Sequence, residues 1–125
     1  MTSYSQLGVM QGRLLPKYKG RYQAHPVGYW QKEFDIAASL NLNLIEFIFD
    51  YDECSSNPLY SKAGLQEISQ KIKSSGVSVK SVCADYFMEA PLHDNDLIIS
   101  NHSIGIFEKL IENASIIGIS DVVLP

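Results

Sequence analysis

Four short apolar segments, spaced along the chain, have the composition of buried β-strands. They are Leu7–Gly12, Leu44–Phe49, Val77–Asp85 and Ser120–Pro125. Each is nearly continuous in apolar residues, which is typical of parallel strands covered on both faces. A helical pattern fills each interval between them, so the chain alternates strand and helix. This alternation predicts an α/β fold with a parallel sheet, in a single domain that spans residues 1–125.

The three helical patterns are amphipathic and carry recognisable end signals. They cover Tyr29–Leu40, Lys62–Ser75 and a third segment that ends at Ile117. Gly76 follows the second pattern in the position of a left-handed cap, and Asp94 or Asp96 is placed to cap the start of the third. Within the third helix, residue spacing predicts a buried stripe made of Ile104, Phe107, Ile111 and Ala114.

Two architectures accommodate this order of elements. One is half of an eight-stranded (β/α) barrel, and the other is a small doubly wound sheet. In both, functional groups lie just beyond the C-terminal ends of the strands. The apolar pattern alone does not decide between them.

Alternation along the second strand indicates which of its side chains share a face, because successive residues point to opposite sides of a sheet. Ile45, Phe47 and Phe49 form one face, and we expect this aromatic face to pack against helices. Glu46 then points to the opposite face, which in a barrel is the interior.

Four polar residues are therefore candidates for a substrate-binding site at one end of the sheet: Gln11, Arg13, Glu46 and Asp85. Gln11 and Arg13 share parity at the end of the first strand, and Asp85 ends the third. A buried carboxylate without a partner is costly, so Glu46 has either a functional role or a structural ion pair with Arg13 or Lys80. For Asp85 the alternative is a turn in which the side chain bonds its own backbone.

Composition and charge exclude several classes of protein. The chain has 125 residues, of which 46% are apolar, and a net charge of −4 with scattered basic residues, so we expect no nucleic-acid partner. No apolar run approaches the ~20 residues that cross a bilayer, and the N-terminus lacks signal-peptide features, so we expect no membrane partner. Cys54 and Cys83 are the only cysteines, and we interpret them as reduced thiols of a cytoplasmic protein.

The long loop Arg13–Gly28 holds the remaining candidate chemistry. Its four basic residues either meet a phosphate or carboxylate group or are simply solvated. His25 lies in the same loop. It is either a functional residue, because the loop lies at the expected reactive end of the sheet, or an ordinary histidine on the loop surface. Together with His93 and His102 it shows no metal-ligand spacing, so metal binding by the histidines alone is not expected. The sequence contains neither a phosphate-binding glycine motif nor a nucleophile elbow.

Three segments resemble the sugar phosphate isomerase/epimerase family, the xylose isomerase-like TIM barrels. They are Leu7–Leu14, Ala37–Asp50 and Ser81–Met88, and Leu110–Pro125 is similar to the third helix and fourth strand of the same family. The resemblance implies a parallel (β/α) half-barrel of four strands, the N-terminal half of a TIM barrel. It also implies metal-assisted proton transfer next to the carbonyl of a small sugar or sugar phosphate.

Members of this family typically bind one divalent metal ion, Mn²⁺, Mg²⁺, Co²⁺ or Zn²⁺, through ligands from the second half of the barrel. The resemblance therefore carries over Glu46, Asp85, Gln11 and Arg13 as pocket residues and no metal ligand. We expect either a truncated part of a larger enzyme or a homodimer that completes a barrel. The alternative is a non-catalytic remnant that binds a small ligand or self-associates. Endonuclease IV-like enzymes share the barrel, but the chain lacks their histidine richness and basic groove.

Overall fold

The computed structural model describes residues 6–125 and shows an α/β fold in which strands and helices alternate. The strands are β1 (Gly8–Met10), β2 (Leu44–Ile48), β3 (Ser81–Cys83) and β4 (Asp121–Val123). The helices are α1 (Gln31–Ser39), α2 (Lys62–Ser75), α3 (Tyr86–Glu89) and α4 (Leu97–Ile116), with two 3₁₀ turns at Cys54–Ser56 and Pro58–Tyr60. The short helix α3 and both 3₁₀ turns occupy segments in which the sequence predicts only loops.

All strand pairs are parallel, and the sheet order is β1-β2-β3-β4. In this register Met10 lies beside Glu46, and Cys83 lies beside Ile48 on one side and Val123 on the other. Sequential order is compatible with half of a barrel, whereas the two common doubly wound sheets reverse direction at a switch point. The predicted α/β class and parallel sheet are confirmed.

One face of the sheet packs against the helices and forms the core. Ile45, Phe47 and Phe49 of β2 are almost completely buried there, together with Val82 of β3 and Phe34 of α1. The expected division of β2 into a helix-facing aromatic side and an opposite side is confirmed. The opposite face is here called the inner face. The pairing of the strands places four side chains on it: Glu46, Ser81, Cys83 and Val123.

All four predicted strands are longer than the observed ones, and the difference is largest at β3. β1 ends at Met10 because a turn follows, in which the Arg13 N–H donates to the Met10 carbonyl over 3.3 Å. The segment before β3 makes only an isolated bridge between Ser78 and Leu44. After Cys83 the chain leaves the sheet, and Asp85 already has helical backbone angles at the start of α3.

Helix ends follow the predicted signals. The α2 helix begins where the Ser61 hydroxyl accepts the Gly64 N–H over 3.0 Å, and it ends at Gly76 in the left-handed conformation. Asp96 caps α4 by accepting the Ile98 N–H over 2.9 Å. Gly64 packs so closely on the backbone of Pro58 that a Cβ atom would have no room. A glycine is therefore required where α2 crosses the second 3₁₀ turn.

The predicted buried stripe of α4 is partly wrong. Ile104 and Ile111 are exposed, Phe107 is half-buried, and of the four predicted residues only Ala114 is buried. The buried face instead includes three polar side chains, Ser100, Ser103 and Asn113. Two of them satisfy distant carbonyl groups: the Ser103 hydroxyl donates to Ala90 over 2.8 Å, and the Asn113 amide donates to Leu59 over 2.9 Å. Such long-range hydrogen bonds offset the cost of burying polar groups.

Candidate functional site

A chain of hydrogen bonds connects two of the predicted site residues above the C-terminal end of the sheet. The Arg13 guanidinium donates from Nη2 to Gln23 Oε1 over 2.6 Å, and Gln23 Nε2 donates to Asp85 Oδ2 over 3.1 Å. Arg13 follows β1 and Asp85 follows β3, so the two ends are joined by a residue of the long loop between β1 and α1. With Asp50, which follows β2, these residues are here called the C-terminal site.

The position of Arg13 is set by a buried glutamate on α1. Glu33 is fully buried, and its carboxylate accepts the Gly12 N–H over 2.8 and 2.9 Å and the Leu14 N–H over 3.0 Å. These bonds hold the backbone on both sides of Arg13. Burial raises the pKa of Glu33, and the hydrogen bonds from Gly12 and Leu14 partly oppose that shift. Gly12 fits this turn because its φ is +94° and a Cβ atom would press against the Ala24 carbonyl at 2.9 Å.

Gln11 lies beneath the site, where it joins β1 to β2 and to the loop. It is fully buried, and its Oε1 accepts the Ile48 N–H over 2.9 Å and contacts His25 Nδ1 at 3.0 Å. Since the Ile48 N–H requires an acceptor, the contacting Gln11 atom is an oxygen, and His25 must carry its proton on Nδ1. The turn after Met10 separates Gln11 from Arg13: Gln11 goes into the interior and Arg13 to the surface.

His25 is buried rather than exposed on the loop, so the interpretation as a surface histidine is wrong. Its ring lies 5.5 Å from the Phe47 ring and 6.4 Å from the Trp30 ring, measured between centroids. Burial among these rings lowers the pKa of His25 from 6.5 to about 4, because the imidazolium form would lose its hydration. His25 is therefore neutral at physiological pH.

Asp50 is held by the same loop, and like Asp85 it is a buried carboxylate of the C-terminal site. Its Oδ2 accepts the backbone N–H of His25 over 2.8 Å. Burial raises the pKa of Asp50, and the negative charge of Asp85 acts in the same direction. A carboxyl group whose pKa is raised takes up and releases a proton closer to neutral pH.

Cys83 lies at the end of β3, close to several carboxylates. Its thiol donates to Asp85 Oδ1 over 3.2 Å. Burial, then the hydrogen bond to Asp85, and then the charges of Asp85, Glu46 and Asp50 raise the pKa of Cys83 to about 12. All three carboxylates therefore lie close enough to act on one inner-face thiol, and the thiol itself is not a nucleophile at neutral pH.

Glu46 lies on the inner face of the sheet. Its Oε2 accepts a hydrogen bond of 2.7 Å from the Ser81 hydroxyl of the neighbouring strand. Within residues 6–125 Glu46 forms no ion pair; the salt bridges there join Lys19 to Glu53 and Lys71 to Asp35. The ion pair considered from the sequence is thus replaced by a hydroxyl.

The C-terminal site opens into a cleft of about 470 Å³. Arg21, Gln23, Asp50, Tyr51 and Asp85 are among the residues that line it. This volume is within the ordinary range for small-molecule sites. The lining combines carboxylates, an amide, a guanidinium group and an aromatic ring, which is a set suited to a ligand with several hydroxyl groups.

The structure thus brings Arg13 and Asp85 together, places Glu46 at the inner face, and places Gln11 under the site. Gln23 and Asp50 were not singled out from the sequence. The position of Asp50 directly after a strand could have indicated it, since the ends of parallel strands meet. No sequence signal marks Gln23, whose role depends on the path of the loop.

Among residues 6–125, no group of three or more histidine, cysteine, aspartate or glutamate side chains is arranged to hold a metal ion.

Comparison with known proteins adds no relative. Neither a scan of the chain against protein-family models nor a search of curated proteins gives a match. No helix within residues 6–125 has the length and apolar character required to cross a membrane.

Proposed function

We propose that the chain is a half-barrel of the TIM type that binds a small polyhydroxy compound, a sugar or sugar phosphate, at the C-terminal site. The observation that carries the proposal is the hydrogen-bonded chain from Arg13 through Gln23 to Asp85. It spans the ends of two parallel strands, which is where sheets of this class place their ligands.

Different side chains of the site bind different groups of such a ligand. Asp85 and Asp50 accept hydrogen bonds from hydroxyl groups. Arg13 uses one nitrogen for Gln23, and the guanidinium group has further N–H donors for a phosphate or carboxylate oxygen. Gln11 and Glu33 act as positioning residues because both are buried: Glu33 accepts the Gly12 N–H at the start of the loop, and Gln11 accepts the Ile48 N–H at the end of β2.

The reaction of this type of site is proton transfer next to a carbonyl, as in sugar isomerases and epimerases. Asp50 is the group best suited to move the proton, since burial raises its pKa and its Oδ2 is fixed by the His25 N–H. Asp85, which lines the same cleft, is the second carboxylate. Glu46 lies on the inner face, where it lines a separate cleft with Lys80 and Ser81. Polarisation of the substrate carbonyl is assigned to Arg21, which lines the cleft together with Asp50.

Calorimetric titration with a panel of pentoses, hexoses and their monophosphates tests this proposal. Asp85→Asn should weaken the tightest ligand by about tenfold or more, because a hydrogen bond to a charged group is worth about 1.5–3 kcal/mol. The matched control is Asp121→Asn, which makes the same change at an exposed position at the start of β4. Equal weakening by both variants, or none by Asp85→Asn, would contradict the assignment.

A second proposal concerns self-association, and the edges of the sheet favour it. Within residues 6–125, β1 pairs only with β2 and β4 pairs only with β3, so each outer strand presents an unpaired edge. Leu7 and Val123 at these edges are 62% and 43% exposed. Unprotected edges of this kind are sites of strand pairing between chains. We propose that two copies pair β4 with β1 and so complete a barrel.

Light scattering at micromolar concentration tests the homodimer. The wild type should elute with twice the monomer mass of 14.0 kDa. Val123→Lys should be monomeric because a lysine on an edge strand opposes pairing. Ser74→Lys, at an exposed position on α2, should leave the dimer intact. A monomeric wild type would overturn this second proposal and leave the ligand site untouched.

A further inference from the structure

A second cleft adjoins the C-terminal site and has a different chemical character. It measures about 470 Å³, and Tyr51, Tyr86, Ala90, Ile98 and Ile99 form its apolar wall. It lies between the first 3₁₀ turn, which follows β2, and the start of α4. Tyr51 lines both clefts. The ring of Tyr51 is therefore a wall shared by a polar cavity and a largely apolar one.

The floor of the second cleft is rigid. Tyr86 is buried, and its ring packs 5.1 Å from Tyr51 and 5.6 Å from Phe49, measured between centroids. Ala90 is fixed by the hydrogen bond that its carbonyl accepts from the Ser103 hydroxyl over 2.8 Å. The cleft is thus a preformed feature of the fold, and a cavity of roughly 150 Å³ is already sufficient to bind benzene.

The upper rim of the cleft exposes aliphatic surface. Ile98 is 81% exposed although it lines the cleft, and Ile99 beside it is partly exposed. Covering these side chains with an apolar group would remove that surface from water, which is favourable. Of the polar side chains in the lining, Glu53, Ser55 and His102 are exposed and retain their hydration at the mouth, and the buried Ser103 hydroxyl is satisfied by the Ala90 carbonyl.

We propose that the second cleft binds the apolar end, most simply an aryl group, of a ligand whose hydroxylated end lies in the C-terminal site. The inference rests on the proposed function and narrows its substrate class from free sugars to sugars that carry an aryl substituent. The shared wall is the reason for this choice of occupant, because a substituent that leaves the polar cleft past Tyr51 enters the apolar one.

The test uses glycosides as binding probes only, because their anomeric carbon is an acetal and offers no carbonyl to the proposed reaction. It compares phenyl with methyl β-D-glucopyranoside, β-D-galactopyranoside and β-D-xylopyranoside by calorimetric titration. For at least one sugar the phenyl compound should bind about tenfold more tightly than the methyl compound, which is the size of effect expected from partial burial of one ring. Ile98→Ser should reduce this advantage to less than about threefold. Leu97→Ser is the matched control: Leu97, which is 71% exposed against 81% for Ile98, lies on the same helical turn but does not line the cleft, so the advantage should persist.

The outcomes separate this inference from the proposed function. Equal affinities for phenyl and methyl compounds, with binding still weakened by Asp85→Asn, would overturn the aryl cleft alone. A phenyl advantage that Ile98→Ser removes, together with absolute affinities for both compounds that Asp85→Asn leaves unchanged, would retain the aryl cleft and overturn the polar site. An advantage that Leu97→Ser reduces as much as Ile98→Ser does, or no binding of any compound, would also overturn the aryl cleft. Circular dichroism on both serine variants verifies that α4 is intact.

Discussion

The buried His25 should make the protein less stable as the pH falls from 7 to 5. At pH 7 the imidazole is neutral in both folded and unfolded chains. Below pH 6.5 the unfolded chain binds a proton at this histidine, whereas the folded chain does not until about pH 4. Proton uptake therefore favours unfolding. A difference between 6.5 and about 4 corresponds to a loss of about 2 kcal/mol at pH 5 relative to pH 7.

Urea unfolding followed by the fluorescence of Trp30, the only tryptophan, measures this loss. Glu33 and Asp50 act in the opposite direction, since their pKa values are raised and proton uptake by the folded chain favours folding. Comparison with His25→Gln cancels their contribution because both proteins contain them. The variant should be less stable at pH 7 but should lose about 2 kcal/mol less than the wild type on acidification.

The control His93→Gln makes the same chemical change at an exposed position, so that a difference in pH dependence can be assigned to burial. Parallel pH profiles for wild type and His25→Gln would refute the reasoning, because they would mean that His25 takes up its proton equally well in both states.

Three further predictions follow from the packing of single residues. Glu33→Gln should lower the free energy of unfolding by about 2 kcal/mol in urea titrations, because the amide cannot replace all the hydrogen bonds that the buried carboxylate accepts; an unchanged midpoint would contradict this role. Gly64→Ala should lower the melting temperature by several degrees, whereas Gly105→Ala, where a Cβ atom meets open space, should not; equal melting temperatures would contradict the close approach. Cys83 should react with iodoacetamide at pH 8 far more slowly than Cys54, as judged by peptide mass spectrometry, because burial and a pKa of about 12 leave little thiolate; comparable rates would show that the thiol is accessible.

The fold was predictable from sequence where one periodicity dominated. The β2 strand alternates clearly, so the faces of Glu46 and Phe47 follow from parity alone. In α4, apolar residues occur on both flanks of the helix, and hydrophobicity could not distinguish Ile104, which is exposed, from Ile106, which is buried. Hydrogen bonds to carbonyl groups far along the chain decided which flank faces inward, and periodicity carries no information about them.

In the candidate site, too, some residues could be predicted from the sequence and others could not. Arg13 and Asp85 could be predicted because the ends of parallel strands meet in space whatever the loops do. Gln23 and Glu33 could not be predicted, because their partners lie 10, 21 and 62 positions away along the chain. Their roles arise from the path of the loop after β1, which passes back over the end of the sheet.

The central claim, a ligand site built on Arg13, Gln23 and Asp85, is tested most directly by nuclear magnetic resonance on the ¹⁵N-labelled wild type. The tightest ligand of the sugar and sugar phosphate panel would be titrated while the side-chain signals of Gln23 and Arg13 and the backbone signal of Asp85 are followed. The account predicts that these three signals shift together with one saturation curve. Saturable shifts confined to other parts of the chain, or no shift at millimolar ligand, would contradict it.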